Sequence, residues 1–184
     1  PPKGPEATVF QFMHASATFT KPVIAAVDGF AGGIGTTMLF HCDLVYAAED
    51  AKFMMPFVNL ALVPEAGSTW LLTRQVGQRR AAELLYFAEP FDSKTAMEVG
   101  LVSKIVPATD VLGHARARAR RLAEMSPTAI ARTKELMNEH QLGELRTHMD
   151  REANVFASML GTPEVNEAIA AVLEKRKPDF SKLR

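Results

Sequence analysis

The chain has 184 residues, 47% of them apolar and 23% charged, with 21 basic side chains balanced by 21 acidic ones. This length supports one domain with a substantial core, and the zero net charge argues against a nucleic-acid partner. The single cysteine, Cys42, excludes an intrachain disulfide, and no apolar run has the length of a membrane span.

The N-terminus shows no signal-peptide pattern, so a reducing, cytoplasmic setting is expected, or a mitochondrial or peroxisomal one in a eukaryote. The sequence opens on Pro1-Pro2-Lys3-Gly4-Pro5 rather than on methionine, and the chain is expected to start inside its gene. Residues 1–5 read as a loop. From Glu6 to about Phe19, the apolar residues Val9, Phe10, Phe12 and Met13 fit a helix, which Lys21-Pro22 ends. Val23-Ile24-Ala25-Ala26-Val27 is a continuous apolar run of the kind found in strands buried on both faces.

A glycine turn at 29–35 follows, then a helix from Thr36 to His41 and strands at Leu44–Ala47 and Lys52–Met55. Strand, glycine turn, helix and strand in that order predict an α/β unit with a right-handed crossover. Helices are expected at Thr69–Val76, Gln78–Phe87 and Ser93–Val99, with an edge strand at Ser103–Pro107. Everything from Asp110 onward reads as helix. Ser126-Pro127 and Thr162-Pro163 are N-terminal signals. Leu142, Leu145, Met149, Ala153, Phe156 and Leu160 form one apolar stripe; Val165, Ile169, Val172 and Leu173 form another. The change near 107 divides an α/β core, residues 1–107, from a helical region, residues 108–184.

The glycine turn fails as a phosphate cradle. A P-loop needs Gly-Lys-Ser/Thr, but Gly35 is followed by Thr36-Thr37, and a dinucleotide fingerprint lacks its third glycine at Met38. Two readings stay open. The glycines let strand and helix pack closely, or the amides at the helix start face a developing oxyanion. Glu65 is also double-edged. It is either a carboxylate favoured at a helix N-terminus or, among Phe57, Leu60, Leu62 and Val63, a buried acid/base group with a raised pKa.

Other candidates reduce to structure. His140, Glu144 and His148 lie four apart, without the His-Glu-x-x-His zinc pattern, and read as an exposed ion-pairing face rather than a metal site. Ser68 lacks the glycine of a nucleophile elbow. Cys42 reads as a small buried hydrophobe, and Arg116, Arg118, Arg120 and Arg121 as a solvated helix face.

The segment Lys21-Pro22-Val23-Ile24-Ala25-Ala26-Val27-Asp28-Gly29-Phe30-Ala31-Gly32-Gly33 resembles the hallmark of the crotonase (enoyl-CoA hydratase/isomerase) superfamily. So do Cys42-Asp43-Leu44-Val45-Tyr46-Ala47-Ala48, Pro64-Glu65-Ala66-Gly67-Ser68-Thr69 and Ala96-Met97-Glu98-Val99-Gly100-Leu101-Val102. The resemblance implies a core of repeated ββα units forming a spiral and a C-terminal helical trimerisation region, giving a homotrimer or a dimer of trimers. It also implies an acyl-CoA or enoyl-CoA substrate, with coenzyme A present only as part of that thioester and no tightly bound cofactor or metal. The family's strands and CoA-binding loop that precede this segment have no counterpart here. The chain is therefore expected to be the C-terminal portion of a longer enzyme, or a non-catalytic assembly chain.

The resemblance places one oxyanion amide on Ile34, just after Gly33. The two hydratase glutamates would fall on Thr37 and on Phe57, after Pro56, and neither is a carboxylate. Glu65 matches the acid/base glutamate of the family's Δ3,Δ2-enoyl-CoA isomerases, enzymes of fatty-acid β-oxidation. Phe30, Phe57 and Leu62 are expected to line the acyl pocket, with Gly33, Thr37, Pro56 and Pro64 nearby. Other CoA-thioester chemistry, hydration included, is the alternative.

Overall fold

The computed structural model describes residues 4–183, with Lys182 described by its backbone alone. Helix α1 (Thr8–Ala17) leads into β1 (Ile24–Val27), the predicted apolar run. At Gly29, φ is +85°, a conformation that side chains resist; here the chain steps out of one sheet and into another. Phe30–Gly32, expected to be part of a turn, is a strand, β2. Pairing with β4 imposes the extended form on a glycine-rich stretch of low intrinsic strand preference. Helix α2 (Ile34–Thr37) and a 3-10 turn (Met38–His41) complete the first ββα unit.

The second unit repeats it: β3 (Leu44–Ala48), β4 (Lys52–Met54), a loop, then α3 (Ser68–Val76). Helix α4 (Gln78–Phe87) follows, then β5 (Phe91–Asp92), α5 (Ser93–Glu98) and β6 (Lys104–Val106). The two-residue β5 carries no alternation to read in the sequence. It pairs antiparallel to β4, setting Phe91 opposite Phe53. The first strands of the units form one parallel sheet in the order β1-β3-β6, and the others form a second in the order β2-β4-β5. This alternation between two sheets is what makes the core a spiral.

One core cluster fills the space between sheets and helices, with Ala47, Phe53, Met55, Leu72 and Ala96 buried in it. Helix α6 (Val111–Ala123) covers the first sheet, packing Val111 and Ala115 on Tyr46 and Val106, while Arg116, Arg118, Arg120 and Arg121 face solvent. Helix α7 (Pro127–Met159) starts at Ser126, whose hydroxyl accepts the Ala129 amide. Its Lys134 Nζ donates to Asp43 Oδ2 at 2.7 Å, and that same oxygen accepts the Val23 amide, tying α7 to the approach to β1.

Further along α7, Leu145, Met149 and Ala153 pack with Phe10, Met13 and Trp70. Helix α8 (Pro163–Leu173) departs from the expected face. It buries Val165, Ala168 and Ala171, while Ile169, Val172 and Leu173 are exposed. The small alanines allow α8 to approach the 3-10 turn at Val58–Leu60, so size rather than hydropathy sets its orientation.

Candidate active site

Glu65 is 4% exposed, at the end of the loop joining β4 to α3. The Thr37 hydroxyl donates to its Oε1 at 2.6 Å; Gly33 O lies 3.3 Å from the same hydroxyl. Burial raises the Glu65 pKa, and the Thr37 hydrogen bond partly offsets that rise by favouring the ionised form. Thr37 sits one turn beyond Ile34 on α2, so the start of this helix and the carboxylate share one side of it. Gly33 holds φ +56° and ψ −123°, and its amide donates to Met54 O. Thr36 and Thr37 amides return to Gly33 O, while Ile34 N–H, in the first turn, lies outside the intrahelical ladder.

The turn after Glu65 is held from two directions. Ala66 and Gly67 are both left-handed, at φ +63° and +72°, reversing the chain before α3. His41 Nε2 donates to Ala66 O at 2.7 Å; burial lowers the His41 pKa, favouring the neutral ring. From the other side Glu152 of α7, 6% exposed, accepts the Gly67 amide at 2.6 Å and the Thr69 amide at 3.1 Å. It also accepts the Thr69 hydroxyl at 2.5 Å, and that hydroxyl in turn accepts His148 Nε2–H at 2.8 Å. Burial dominates the Glu152 pKa, pushed up to about 7 against those hydrogen bonds, with the negative charge of Glu65 adding to the rise. Burial, with Arg151 and Arg74 nearby, lowers that of His148.

The predicted residues divide between the site and its surroundings. Thr37 and Glu65 are in direct contact, and Pro64 is buried next to Glu65. Phe57 is a core residue and Leu62 packs against the same cluster, whereas Phe30, on β2, is 64% exposed and Ile34 37%. Pro56 is half-buried. The His140–Glu144–His148 face is not simply solvated: Glu144 pairs with Arg74 at 3.6 Å, but His148 belongs to the Thr69 cluster. Among the described residues no group of three or more His, Cys, Asp or Glu could hold a metal ion, and no helix is long and apolar enough to cross a membrane.

Glu152 and His41 were missed. A signal for Glu152 existed: a glutamate three residues after Met149 and beside Ala153, on the edge of an otherwise apolar stripe. His41 carried none. Two concavities border Trp70, one of about 350 Å³ between α3, α4 and α7 and one of about 310 Å³ between α3 and α7, and Glu65 lines neither.

The site thus sets a buried, hydroxyl-supported carboxylate, Glu65, near the start of a helix within a ββα spiral. The chain belongs to the enoyl-CoA hydratase/isomerase family, whose model matches residues 3–183. It is 36% identical over 162 residues to 2,3-dehydroadipyl-CoA hydratase of Escherichia coli K12, covering 88% of this chain and 64% of that protein. It is 37% identical over 172 residues to crotonyl-CoA hydratase of Syntrophomonas wolfei, covering 94% of this chain and 65% of that one. The chain thus spans less than two thirds of the length of these relatives. Pseudomonas aeruginosa OdaA superposes with a TM-score of 0.90 at 43% identity, over 94% of this chain and 70% of that one. An enoyl-CoA hydratase/isomerase of Pseudoalteromonas atlantica superposes at 0.89 with 36% identity, over 94% and 69%. The fold is the crotonase fold with its C-terminal helical region.

Proposed function

We propose that this chain forms part of an acyl-CoA thioester enzyme that moves a proton through Glu65, with Δ3,Δ2-enoyl-CoA isomerisation as its reaction. The observation that carries this reading is the buried Glu65–Thr37 pair. Glu65 takes a proton from C2 of a 3-enoyl thioester. The C2–H electrons form C1=C2 as the carbonyl pair moves onto the thioester oxygen, giving a dienolate; when C4 takes the proton through the C3=C4 pair, the C1=C2 pair becomes C2=C3 and the carbonyl reforms. Ile34 N–H stabilises that oxygen. Glu65, now a carboxylic acid, gives the proton to C4, and the double bond ends between C2 and C3.

The Thr37 hydroxyl suits both halves of the cycle. It donates to the carboxylate in the first, then accepts from the carboxylic acid while turning its own hydrogen toward Gly33 O. A raised pKa makes Glu65 a stronger base, and excluding water protects the dienolate. Thr37 and Phe57 at the two places where the resemblance puts hydratase carboxylates leave no second group to activate water.

Hydration is the second reading, supported by the similarity to 2,3-dehydroadipyl-CoA hydratase and crotonyl-CoA hydratase. The full-length gene product given a 3-enoyl-CoA and a 2-enoyl-CoA in parallel separates the two. Isomerisation of the first with negligible hydration of the second supports isomerase; rapid 3-hydroxyacyl-CoA formation from the second supports hydratase. Assembly as a homotrimer or a dimer of trimers is part of the proposal, supported by exposed Leu136, Met137, Val172 and Leu173 on α7 and α8.

A further inference from the structure

A buried carboxylate far along the chain binds the turn that carries Glu65, and nothing in the proposed proton transfer uses it. Glu152 lies on α7, yet both its oxygens are committed to residues 67–69: Oε2 to the Gly67 amide, Oε1 to the Thr69 amide and hydroxyl. Placing a carboxylate at 6% exposure is costly, and an apolar side chain would pack on Leu145 and Met149 more cheaply. What an apolar side chain lacks is the ability to accept amide hydrogens.

One of those amides belongs to Gly67, the second of two consecutive left-handed residues of which the first is alanine, and the other to Thr69 in the first turn of α3. Gly67 is also pressed so closely on α7 that a Cβ there would meet Leu145 Cδ1 at 2.5 Å and Met149 Cγ at 3.1 Å. His148 Nε2–H orients the Thr69 hydroxyl toward Glu152, and His41 fixes Ala66 O from the opposite side. The turn is thus pinned at Ala66, Gly67 and Thr69, immediately after Glu65, by side chains from two distant segments.

We infer that Glu152 is a positioning residue for Glu65, holding the 66–69 turn so that the Glu65 carboxylate is presented to the substrate at a fixed place. The inference rests on Glu65 being the proton carrier. Its physical basis is the steep dependence of proton transfer on placement, where an error of about 1 Å costs about 100-fold in rate.

The test is a set of variants of the full-length gene product: Glu65→Gln, Glu152→Gln, the two combined, and Thr69→Val. Each is assayed on a 3-enoyl-CoA, with rates normalised to folded sites counted by titration with a saturated acyl-CoA. Glu152→Gln is expected to lower kcat by about 10- to 100-fold with KM changed by less than about twofold, and Thr69→Val to lower it in the same direction by less. In the Glu65→Gln background Glu152→Gln should have no further effect, because a residue acting through another loses its influence when the other is gone.

A Glu152→Gln enzyme with wild-type kcat per folded site, beside an inactive Glu65→Gln, overturns the positioning role and leaves the reading of Glu65 intact. Additive losses in the double variant overturn it equally. A fully active Glu65→Gln overturns the reading of Glu65 and the positioning role with it. Should Glu152→Gln not fold, Thr69→Val decides alone: wild-type kcat refutes the role, and a reduced kcat with unchanged KM that vanishes in the Glu65→Gln background supports it.

Discussion

Replacing Glu152 by glutamine removes a titrating group from the interior while nearly preserving the shape of the side chain. In the folded protein its pKa is about 7, against an ordinary 4.5. Between those values the folded state holds a proton that the unfolded chain has released, so stability falls as pH rises through this window. Below about pH 4.5 Glu152 is protonated in both states and its contribution is fully retained; above about 7 it is ionised in both and the loss is complete. At about 1.4 kcal/mol per pH unit, the interval corresponds to about 3 kcal/mol.

Glutamine keeps an acceptor oxygen but turns an NH2 toward amide donors, a penalty that does not depend on pH. Glu65, with its raised pKa, acts in the same direction, whereas His41 and His148, both lowered, act in the opposite one. All three are present in both proteins, so the difference between them reports Glu152 together with its coupling to Glu65 and His148. Urea unfolding followed through Trp70, the single tryptophan, 8% exposed and next to Thr69, reports on this region. Wild type should lose about 3 kcal/mol relative to Glu152→Gln between pH 4.5 and 7, then run parallel to it. Curves parallel throughout would refute a shifted Glu152.

Three further outcomes concern that turn and the Glu65 contact with Thr37. Gly67→Ala adds a Cβ 2.5 Å from Leu145 Cδ1 at a residue with φ +72°, and should destabilise by about 2–4 kcal/mol, read as a lower urea midpoint. Ser68 Oγ is fully buried with no hydrogen-bond partner among the described residues, so Ser68→Ala should leave stability unchanged or raise it by about 1 kcal/mol, read as Tm. Thr37→Val removes the hydroxyl that favours ionised Glu65. Turnover should fall, and the acid limb of its pH–rate profile should move to higher pH than in the wild type.

Much of this architecture was legible because each unit was locally consistent. The apolar run before Gly29 and the Ser126-Pro127 and Thr162-Pro163 starts all form as the sequence predicts. Strands β2 and β5 were not legible, being two or three residues long and existing through pairing with β4. The exposure of Ile169 and Leu173 was missed for a related reason, since the approach of α8 to the Val58–Leu60 turn is a tertiary fact. At the site, Glu65 stood out by its apolar neighbours. Its contact with Thr37, 28 positions earlier, required the fold. The link from Glu152 to Gly67 crosses 85 positions, and only the odd glutamate on an apolar stripe hinted at it.

The most direct test of Glu65 as the sole proton carrier is the rate of 3-enoyl-CoA isomerisation by the full-length gene product before and after Glu65→Gln. Glutamine retains the size and the Thr37 contact but cannot carry a proton. The turnover number should fall by about 10²- to 10⁴-fold, with binding of a saturated acyl-CoA unchanged. Isomerisation that proceeds at the wild-type rate in Glu65→Gln would contradict the account and place the proton transfer on another group.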